Sequence, residues 1–230
     1  MPTTPRQHRR EADTRTRILA EATKLFSSQG FGPTTIRQIA AAVKLNSQLI
    51  YYYFGDKTGL YRTVLDDAAE RVGVLLADAL QDVGRPRDRL ERFIIAWVRV
   101  TLAHAPTIRM LHAVALEGND ALTDDVRTRA TQQASLVRRL IREGIDAGEF
   151  HRDVDPRLAA TSLVGMTQYL ALGGPVLMDA MALRMGPRMI SRIARETASL
   201  FLRGIAADAS ATARRGTRRH GAVRGLHRAP

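Results

Sequence analysis

The sequence predicts an all-α protein in which a small N-terminal helix-turn-helix head precedes a larger helical bundle. First, apolar residues recur at helical spacing along almost all of the 230 residues, and no convincing alternating strand occurs. Second, glycines, prolines and helix-capping residues divide the chain into separate helical segments. Third, the sequence has no internal repeat or sustained heptad, which argues against a solenoid or a long coiled coil.

The first helix carries its apolar residues on one stripe over residues 18–26 and ends at Gly30, a common residue type just after a helix. A second helix begins after Thr35, which together with Gln38 has the form of a capping box. The apolar spacing of this helix ends at Val43, so the helix lasts barely two turns.

A third helix follows a tight turn around Lys44. Asn46 is a good N-cap for this helix, and its apolar residues through Tyr53 are able to share an inward face. Gly55 and Asp56 then break the chain, and Asp56 is able to cap a long fourth helix. The spacing therefore predicts two short helices joined by a tight turn, with a long helix after them.

The remaining helices are longer, and glycine, proline and asparagine mark their boundaries. The fourth helix is predicted to end at residues 84–86, and residues 176–185 are a candidate for one short extra helix. Residues 155–172 and 187–206 each carry an apolar stripe that serves either internal core or a dimer interface. The further predicted helices span residues 87–104, 106–117, 121–147, 155–172 and 187–206.

The chain is strongly basic. Lysine and arginine total 35 against 23 aspartate and glutamate, which gives a net charge of +12. This balance indicates an anionic polymer or surface as a partner. Both ends concentrate arginine and offer almost no apolar surface to offset the entropy of ordering, so we expect them to be solvated basic tails. For the C-terminal tail, a solubilising role and direct contact with nucleic acid both stay open.

Several classes of function are disfavoured. The chain has no cysteine, which excludes disulfides, thiolate metal sites and thiol nucleophiles. The six histidines lack the spacing that places two metal ligands on one helical turn, and no phosphate loop or hydrolase motif occurs. No long apolar run or signal region is present. We therefore expect a cytoplasmic protein with no metal site, no cofactor, no catalytic residues and no membrane partner.

The helix-turn-helix over residues 35–54 carries the functional prediction. In this motif the first helix braces the second, and the second enters the major groove of DNA. Removing the inward positions leaves Ser47, Gln48, Tyr51 and Tyr52 on the outward face of the second helix. Glutamine hydrogen-bonds an adenine edge, serine bonds bases or phosphates, and tyrosine offers a ring and a hydroxyl.

Cationic and hydroxyl groups flank this outward face. Lys57 lies in the first turn of the next helix, where a phosphate would be bound, and Thr35 and Arg37 are able to grip the other side of the groove. The alternative interpretation is that the aromatic run over residues 51–54 is only core. At helical spacing all four aromatic rings cannot face inward, so we expect at least one of the first two tyrosines to be exposed.

These residues resemble the TetR family of bacterial transcriptional regulators. The resemblance rests on residues 34–40 (Thr-Thr-Ile-Arg-Gln-Ile-Ala), on residues 47–54 (Ser-Gln-Leu-Ile-Tyr-Tyr-Tyr-Phe), and on residues 56, 57 and 59–61. It implies a three-helix DNA-binding head, a fourth helix linking the head to a ligand-binding bundle, and a homodimer formed through the last two long helices. It also implies groove or phosphate contacts from Thr35, Arg37, Ser47, Gln48, Tyr51, Tyr52 and Lys57.

Two positions depart from the family pattern. The family usually has glycine in the turn where Lys44 stands, a place that favours a left-handed backbone, so either Lys44 is strained there by about 1 kcal/mol or the chain forms a different turn. It often has an acidic residue where Thr58 stands. With the resemblance, the predicted domains are a disordered basic arm over residues 1–13, a helix-turn-helix DNA-binding domain over 14–56, a ligand-binding and dimerisation bundle over 57–206, and a disordered basic tail over 207–230.

The bundle also offers candidates for a ligand pocket on three of its helices. A pocket between these helices would be mostly apolar with a few polar groups, as small-molecule sites in bundles are. For each single residue plain core is the favoured interpretation, whereas for the set together a pocket is favoured. The candidates are Trp97, Thr101, His104, Met110, His112, Met166 and Tyr169.

The expected function is a ligand-responsive transcriptional regulator, a repressor that releases a palindromic operator when a small molecule binds. Its expected partners are double-stranded DNA, a second copy of the chain, and an apolar or weakly polar effector. Two alternatives stay open: an effectorless, non-specific DNA-binding protein, or an all-α small-molecule-binding domain that does not use its DNA-binding head. Steep salt dependence with little sequence preference would favour the first alternative, and failure to bind any DNA would favour the second.

Overall fold

The computed structural model describes residues 5–76, 79, 81, 83–117 and 123–207. These residues form α-helices with no strand, apart from an isolated antiparallel bridge between Phe150 and Ala206. The all-α prediction is confirmed. The helices are α1 (Pro5–Gln29), α2 (Ile36–Val43), α3 (Ser47–Phe54), α4 (Lys57–Leu76), α5 (Pro86–Ala103), α6 (Ala105–Glu117), α7 (Asp124–Asp146), α8 (Pro156–Leu172), α9 (Gly174–Ala180) and α10 (Pro187–Ile205).

The head consists of α1, α2 and α3, and both predicted N-caps are present in it. The Gln38 backbone N–H donates to Thr35 Oγ1 at 3.2 Å, and the Thr35 backbone N–H donates to Gln38 Oε1 at 2.7 Å. At α3, the Gln48 N–H donates to Asn46 Oδ1 at 2.9 Å. These caps satisfy backbone donors that the start of a helix leaves free, which is why such short helices begin where they do.

One buried cluster, which we call the head core, joins these helices to the start of α4. Its fully buried members include Ile18, Ile39, Ile50 and Leu65. An eight-residue helix is too short to be stable alone in water, so α2 and α3 depend on this packing for their existence. The head core also contains Val126 of α7, which the sequence analysis did not anticipate.

The turn between α2 and α3 adopts the left-handed backbone of the family pattern rather than a different turn. Lys44 is the C-cap of α2, with φ 56° and ψ 48°, and its N–H donates to the carbonyls of Ala40 and Ala41. This is the left-handed region, which is strained for a residue with a Cβ. The helix-turn-helix thus keeps its geometry without a glycine, at a local cost.

Residues 5–13 differ from the predicted disordered arm, because α1 begins at Pro5. Proline suits the first turn of a helix, since its φ is already helical and its missing N–H needs no partner there. No glycine or second proline interrupts the chain before Gly30. The remaining residues of the predicted arm and the predicted basic tail beyond Ala207 lie outside the described residues.

The bundle has its own core between α5, α7, α8 and α10. Its fully buried residues include Leu90, Ile94, Ile141 and Leu163. The predicted apolar stripes of the last two long helices are partly internal, because Leu163 and Thr167 of α8 and Ala194, Thr197 and Phe201 of α10 are buried within the chain. These residues are therefore core, whereas Leu200 of the α10 stripe stays exposed.

An ion pair links two helices of the bundle. Arg89 Nη1 of α5 donates to Glu143 Oε2 of α7 at 2.6 Å, and the Arg89 side chain is nearly buried. At the end of α7, the Glu149 carboxylate accepts from the backbone N–H of Arg87, at 2.9 Å. These contacts fix the register between α5 and α7, two of the helices that surround the cavity described below.

We expect Lys44→Gly to raise the free energy of unfolding by about 0.5–1 kcal/mol, because glycine adopts the left-handed backbone without a Cβ clash. Chemical denaturation followed by circular dichroism measures the change. The matched control is Lys44→Ala, which removes the charge but keeps the Cβ, and it should leave the stability within about 0.5 kcal/mol of the parent. An equal gain from alanine would contradict the explanation by backbone strain.

Candidate DNA-binding surface and ligand cavity

The outward face of α3 is exposed as predicted. Tyr52 is 78% exposed and Tyr51 49% exposed, whereas Ile50 and Phe54 of the same helix are buried. Gln48 is exposed and Ser47 half-buried at the start of the helix. The face therefore presents an amide, a hydroxyl and two phenol groups, all of which donate or accept hydrogen bonds without a net charge.

Two of the predicted flanking residues, Lys57 and Thr35, also form hydrogen bonds within the head. The Lys57 ammonium donates to the Gly32 carbonyl at 3.0 Å and lies 4.3 Å from the centre of the Phe31 ring. The Thr35 hydroxyl is engaged in the capping box, where it donates to Gln38 Oε1 at 3.0 Å. Both groups are thus held in fixed positions at the edge of the α3 face, and Arg37 is exposed on α2.

Two arginines of α1 support the helix-turn-helix from behind. The Arg15 guanidinium lies 5.5 Å from the centre of the Phe54 ring, and Arg17 Nη2 donates to the Val43 carbonyl at 2.9 Å. Burial, followed by the charge of Glu11, raises the pKa of Tyr53. The hydroxyl of Tyr53 therefore stays protonated and uncharged at neutral pH. The charged groups near α3 are the arginines and the lysine.

A cavity of about 330 Å³ lies among α4, α5, α6, α7 and α8. Small-molecule sites in proteins range from roughly 300 to 1,000 Å³, so this cavity is at the small end of that range. No residue lining it within the described part of the chain is acidic. The apolar walls include Val72, Phe93, Ile108, Val137 and Leu163, and the polar groups are His112, Arg127, Arg129, Gln133 and Gln168.

Two of the seven predicted pocket residues, Trp97 and His112, line this cavity. The Trp97 indole is fixed in place, because its Nε1–H donates to Thr167 Oγ1 at 3.0 Å. The Thr167 hydroxyl in turn donates to the Leu163 carbonyl at 2.9 Å. A buried indole N–H is therefore satisfied, and the ring presents an apolar surface to the cavity.

The other five predicted pocket residues do not line the cavity. Thr101 is buried but faces elsewhere, and His104 is the exposed C-cap of α5, which ends at Ala103. Met110 is buried in the head core instead. The reason is that α5 ends at Ala103, which leaves His104 in solvent, and that Met110 lies on the face of α6 that packs against the head core.

Met166 and Tyr169 are corrected for a different reason. They are 42% and 61% exposed, whereas Leu163 and Gln168 of the same helix line the cavity. At about 100° per residue, Tyr169 lies on the opposite side of α8 from the cavity-lining residues. The sequence therefore identified a helix that lines the cavity, but not the face of that helix which does so.

The sequence analysis missed the cavity groups of α7. Val126, Ala130, Gln133 and Val137 recur at helical spacing on one side of this helix, with alanines where a core helix would carry larger residues. Small residues on an inward face leave space between helices. This spacing of small residues is the sequence pattern from which a cavity could have been predicted. The neighbouring arginines make the same helix resemble a solvated surface.

The cavity and the head core share a wall. Ala69 of α4 and Val126 of α7 line the cavity and also belong to the head core, and Leu111 of α6 lines the cavity and packs against that core. Because protein interiors are close-packed, a molecule that moves these walls also moves the packing of the head. The arrangement provides a direct mechanical connection between the two candidate sites.

None of the described helices combines the length and apolarity needed to cross a membrane. Within the same residues, no three histidine, aspartate or glutamate side chains are grouped as a metal site.

The comparisons with known proteins match both parts of the chain. The sequence model of the bacterial regulatory proteins of the tetR family matches residues 18–64. That of the tetracyclin repressor-like C-terminal domain matches residues 83–172. The first match covers the helix-turn-helix, and the second covers most of the helices around the cavity.

Individual relatives agree with these matches. The chain is 30% identical over 172 residues to the HTH-type transcriptional regulator HbdR of Aromatoleum sp. (strain CIB), an alignment covering 74% of this chain and 73% of HbdR. It is 29% identical over 143 residues to the HTH-type transcriptional repressor NicS of Pseudomonas putida, covering 61% and 68%. The crystal structure of AibR in complex with isovaleryl coenzyme A and operator DNA has the same fold, with a TM-score of 0.62. The two sequences are 18% identical, and the superposition covers 78% of this chain and 94% of the AibR chain.

Proposed function

The chain belongs to the tetR family of bacterial regulatory proteins, and from this premise we propose that it is a repressor which releases a palindromic operator when a small molecule occupies the cavity. It is an HTH-type transcriptional regulator. The single observation that carries the proposed ligand response is the wall shared by the cavity and the head core, at Ala69 and Val126. As a regulator of bacterial genes it acts in the cytoplasm, where the chromosome lies.

The α3 face supports sequence reading in the major groove. The side chains of Gln48 and Tyr51 are exposed near the start and middle of a short helix, the region that meets base edges in helix-turn-helix proteins. Lys57, Thr35 and Arg37 lie at its edges, where phosphate contacts fix the register of the helix on the duplex. We therefore assign base contact to Gln48, Tyr51 and Tyr52, and phosphate contact to Ser47 and the flanking residues.

A surface of α8 and α10 supports homodimer formation. Leu158, Met166, Tyr169 and Leu172 are exposed on the side of α8 away from the cavity, and Leu200 is exposed on α10. A cluster of exposed apolar residues on two helices is typical of a protein interface rather than of a solvated surface. A two-fold dimer that reads a palindrome holds its two α3 helices about 34–36 Å apart, one turn of DNA, or a multiple of that distance.

The effectorless alternative is disfavoured by the cavity. A non-specific DNA-binding protein needs no apolar cavity beside its DNA-binding head. The AibR complex contains both isovaleryl coenzyme A and operator DNA, so a protein of this fold carries both kinds of ligand. We therefore retain ligand-controlled operator binding as the proposed function.

Gln48→Ala should relax the sequence preference of operator binding, with a loss of about 1–3 kcal/mol of discrimination at one base step in each half-site. The reason is that the amide is the exposed group suited to pairing with an adenine edge. Competition between operator variants, selected first from genomic fragments, measures the discrimination. Unchanged discrimination at every position would remove Gln48 from the base-reading set.

A second variant, with its control, separates base reading from contact with the phosphates. Lys57→Ala should weaken binding to all sequences alike and lower the salt dependence of the binding constant by about one phosphate contact. Gln29→Ala, at the exposed end of α1, is the matched control and should change neither quantity.

Tyr169→Glu should shift the protein from dimer to monomer, because it puts a charge into an apolar surface that dimerisation would desolvate. Sedimentation velocity over a concentration series measures the dimer dissociation constant, and helicity by circular dichroism checks folding. Leu116→Glu is the control, since Leu116 is 81% exposed on α6, outside this surface. A dimer of undiminished affinity in Tyr169→Glu would place the interface elsewhere.

Operator and effector should weaken each other by the same factor. Thermodynamic linkage requires this reciprocity, and allosteric couplings of about 1–3 kcal/mol correspond to roughly 5–150-fold. Titrating a compound that alters Trp97 fluorescence into free protein and into the operator complex gives the factor from one side. Operator titration with and without the compound gives it from the other, and DNA of unrelated sequence is the control. Equal affinities for free and operator-bound protein would exclude the proposed switch.

A further inference from the structure

We infer that the effector is an amphipathic anion, with an apolar group inside the cavity and a carboxylate or phosphate held by Arg127 and Arg129. This inference names the ligand class of the proposed effector site, and so it rests on the proposed function of the cavity. It revises the expectation from sequence of an apolar or weakly polar effector, because that expectation did not include the arginines of α7.

The electrostatics of the cavity favour an anion. Arg127 and Arg129 both line it, and no acidic residue in the described part of the chain does. Neither guanidinium forms an ion pair or hydrogen bond with the described residues, whereas Arg139 on the same helix pairs with Glu143. Two unpaired cations beside an apolar space repel a cationic ligand and gain charge-assisted hydrogen bonds from an anionic one.

Arg129 lies beside α4. Its Nη1 atom is 3.8 Å from the point where a Cβ on Gly73 of α4 would stand, which is an ordinary van der Waals distance. Arg129 is half-buried at this position, whereas Arg127 is exposed. An anion bound there would lie between α7 and α4.

The rest of the cavity fits the apolar part of such a ligand. Phe93, Trp97, Val137 and Leu163 form apolar walls, and the volume of about 330 Å³ is sufficient for a small acyl or aryl group. Gln168 also lines the cavity; its side chain is nine-tenths buried, and Oε1 has no hydrogen-bond partner in the described structure. A buried carbonyl without a donor is costly, so a ligand hydroxyl or amide that reached it would be stabilised.

The arginines are carried by a helix that is attached to α4. The Thr123 hydroxyl, which caps α7, donates to the Asp66 carboxylate of α4 and also accepts from the Val126 N–H at 3.3 Å. The Asp66 carboxylate is engaged with the cap, and neither Asp66 nor Asp124 and Asp125 in the first turn of α7 line the cavity. An anion bound by the arginines of α7 therefore acts close to the junction of α7 with the helix that leads to the head.

Trp97 provides the readout, because it is the single tryptophan of the chain and lines the cavity. Full-length protein is titrated with butanoate, octanoate and dodecanoate, with the matching alkyl phosphates, and with the matching alcohols. At least one anion series should change Trp97 fluorescence and bind about tenfold or more tightly than its alcohols, as expected for charge-assisted hydrogen bonds. The comparison of carboxylates with phosphates shows which head group is preferred.

Variants identify the residues responsible. Arg127→Gln and Arg129→Gln should each reduce the preference for anions over alcohols severalfold, and Arg129→Lys should restore part of it by returning the charge. Arg142→Gln, an exposed arginine of α7 outside the cavity, is the matched control and should bind as the parent does. Melting curves confirm that each variant is folded.

The outcomes separate this inference from the function on which it rests. Anion preference that is lost in the cavity variants and kept in Arg142→Gln supports the inference. Alcohols that bind as tightly as the anions and release operator DNA would overturn it while leaving the proposed repressor function intact. No change in Trp97 fluorescence with any anion would also overturn it, and operator binding measured in parallel would show whether the DNA-binding function survives.

Discussion

The structure depends on one shared surface, the packing of α4, α6 and α7 into the buried cluster of the head. Val126 of α7 and Met110 of α6 are buried in the same cluster as Ile39 and Ile50 of the helix-turn-helix. Within this cluster α2 and α3 pack against α1 and α4, which supply the burial that eight-residue helices need. The same surface forms part of the cavity wall, so the stability of the DNA-binding head and the shape of the ligand site have a common physical origin.

Features that depend on neighbours in sequence were predictable. The capping box of Thr35 and the N-cap at Asn46 follow from backbone rules that act over a few residues, whereas the left-handed turn at Lys44 was implied only by the family resemblance. The exposed tyrosines of α3 follow from helical geometry alone. The identities of the candidate DNA-contacting residues were accessible for the same reason, because they lie on one short helix and its flanks, although their contacts with DNA stay predictions.

Features that depend on helix rotation and on distant contacts were not predictable. Met166 and Gln168 are two residues apart on α8, yet one faces solvent and the other lines the cavity. Periodicity identifies the stripes of a helix but does not determine which neighbour each stripe will meet. The cavity face of α7 was not predicted either: its arginines have the composition of a solvated surface, yet Arg127 and Arg129 line the cavity.

The way the head is braced restricts how a ligand signal reaches the DNA. The recognition helix is held by buried Ile50 and Phe54, by Arg15 over the Phe54 ring, and by Lys57 bonded to the loop before α2. Because close-packed elements respond to strain by shifting together rather than by deforming internally, displacement of the shared wall would move the head as a unit. In a dimer, two such displacements add at the DNA, where the half-sites have a fixed separation. Loss of operator affinity therefore requires no change within α3, only a change in the distance or angle between two intact heads.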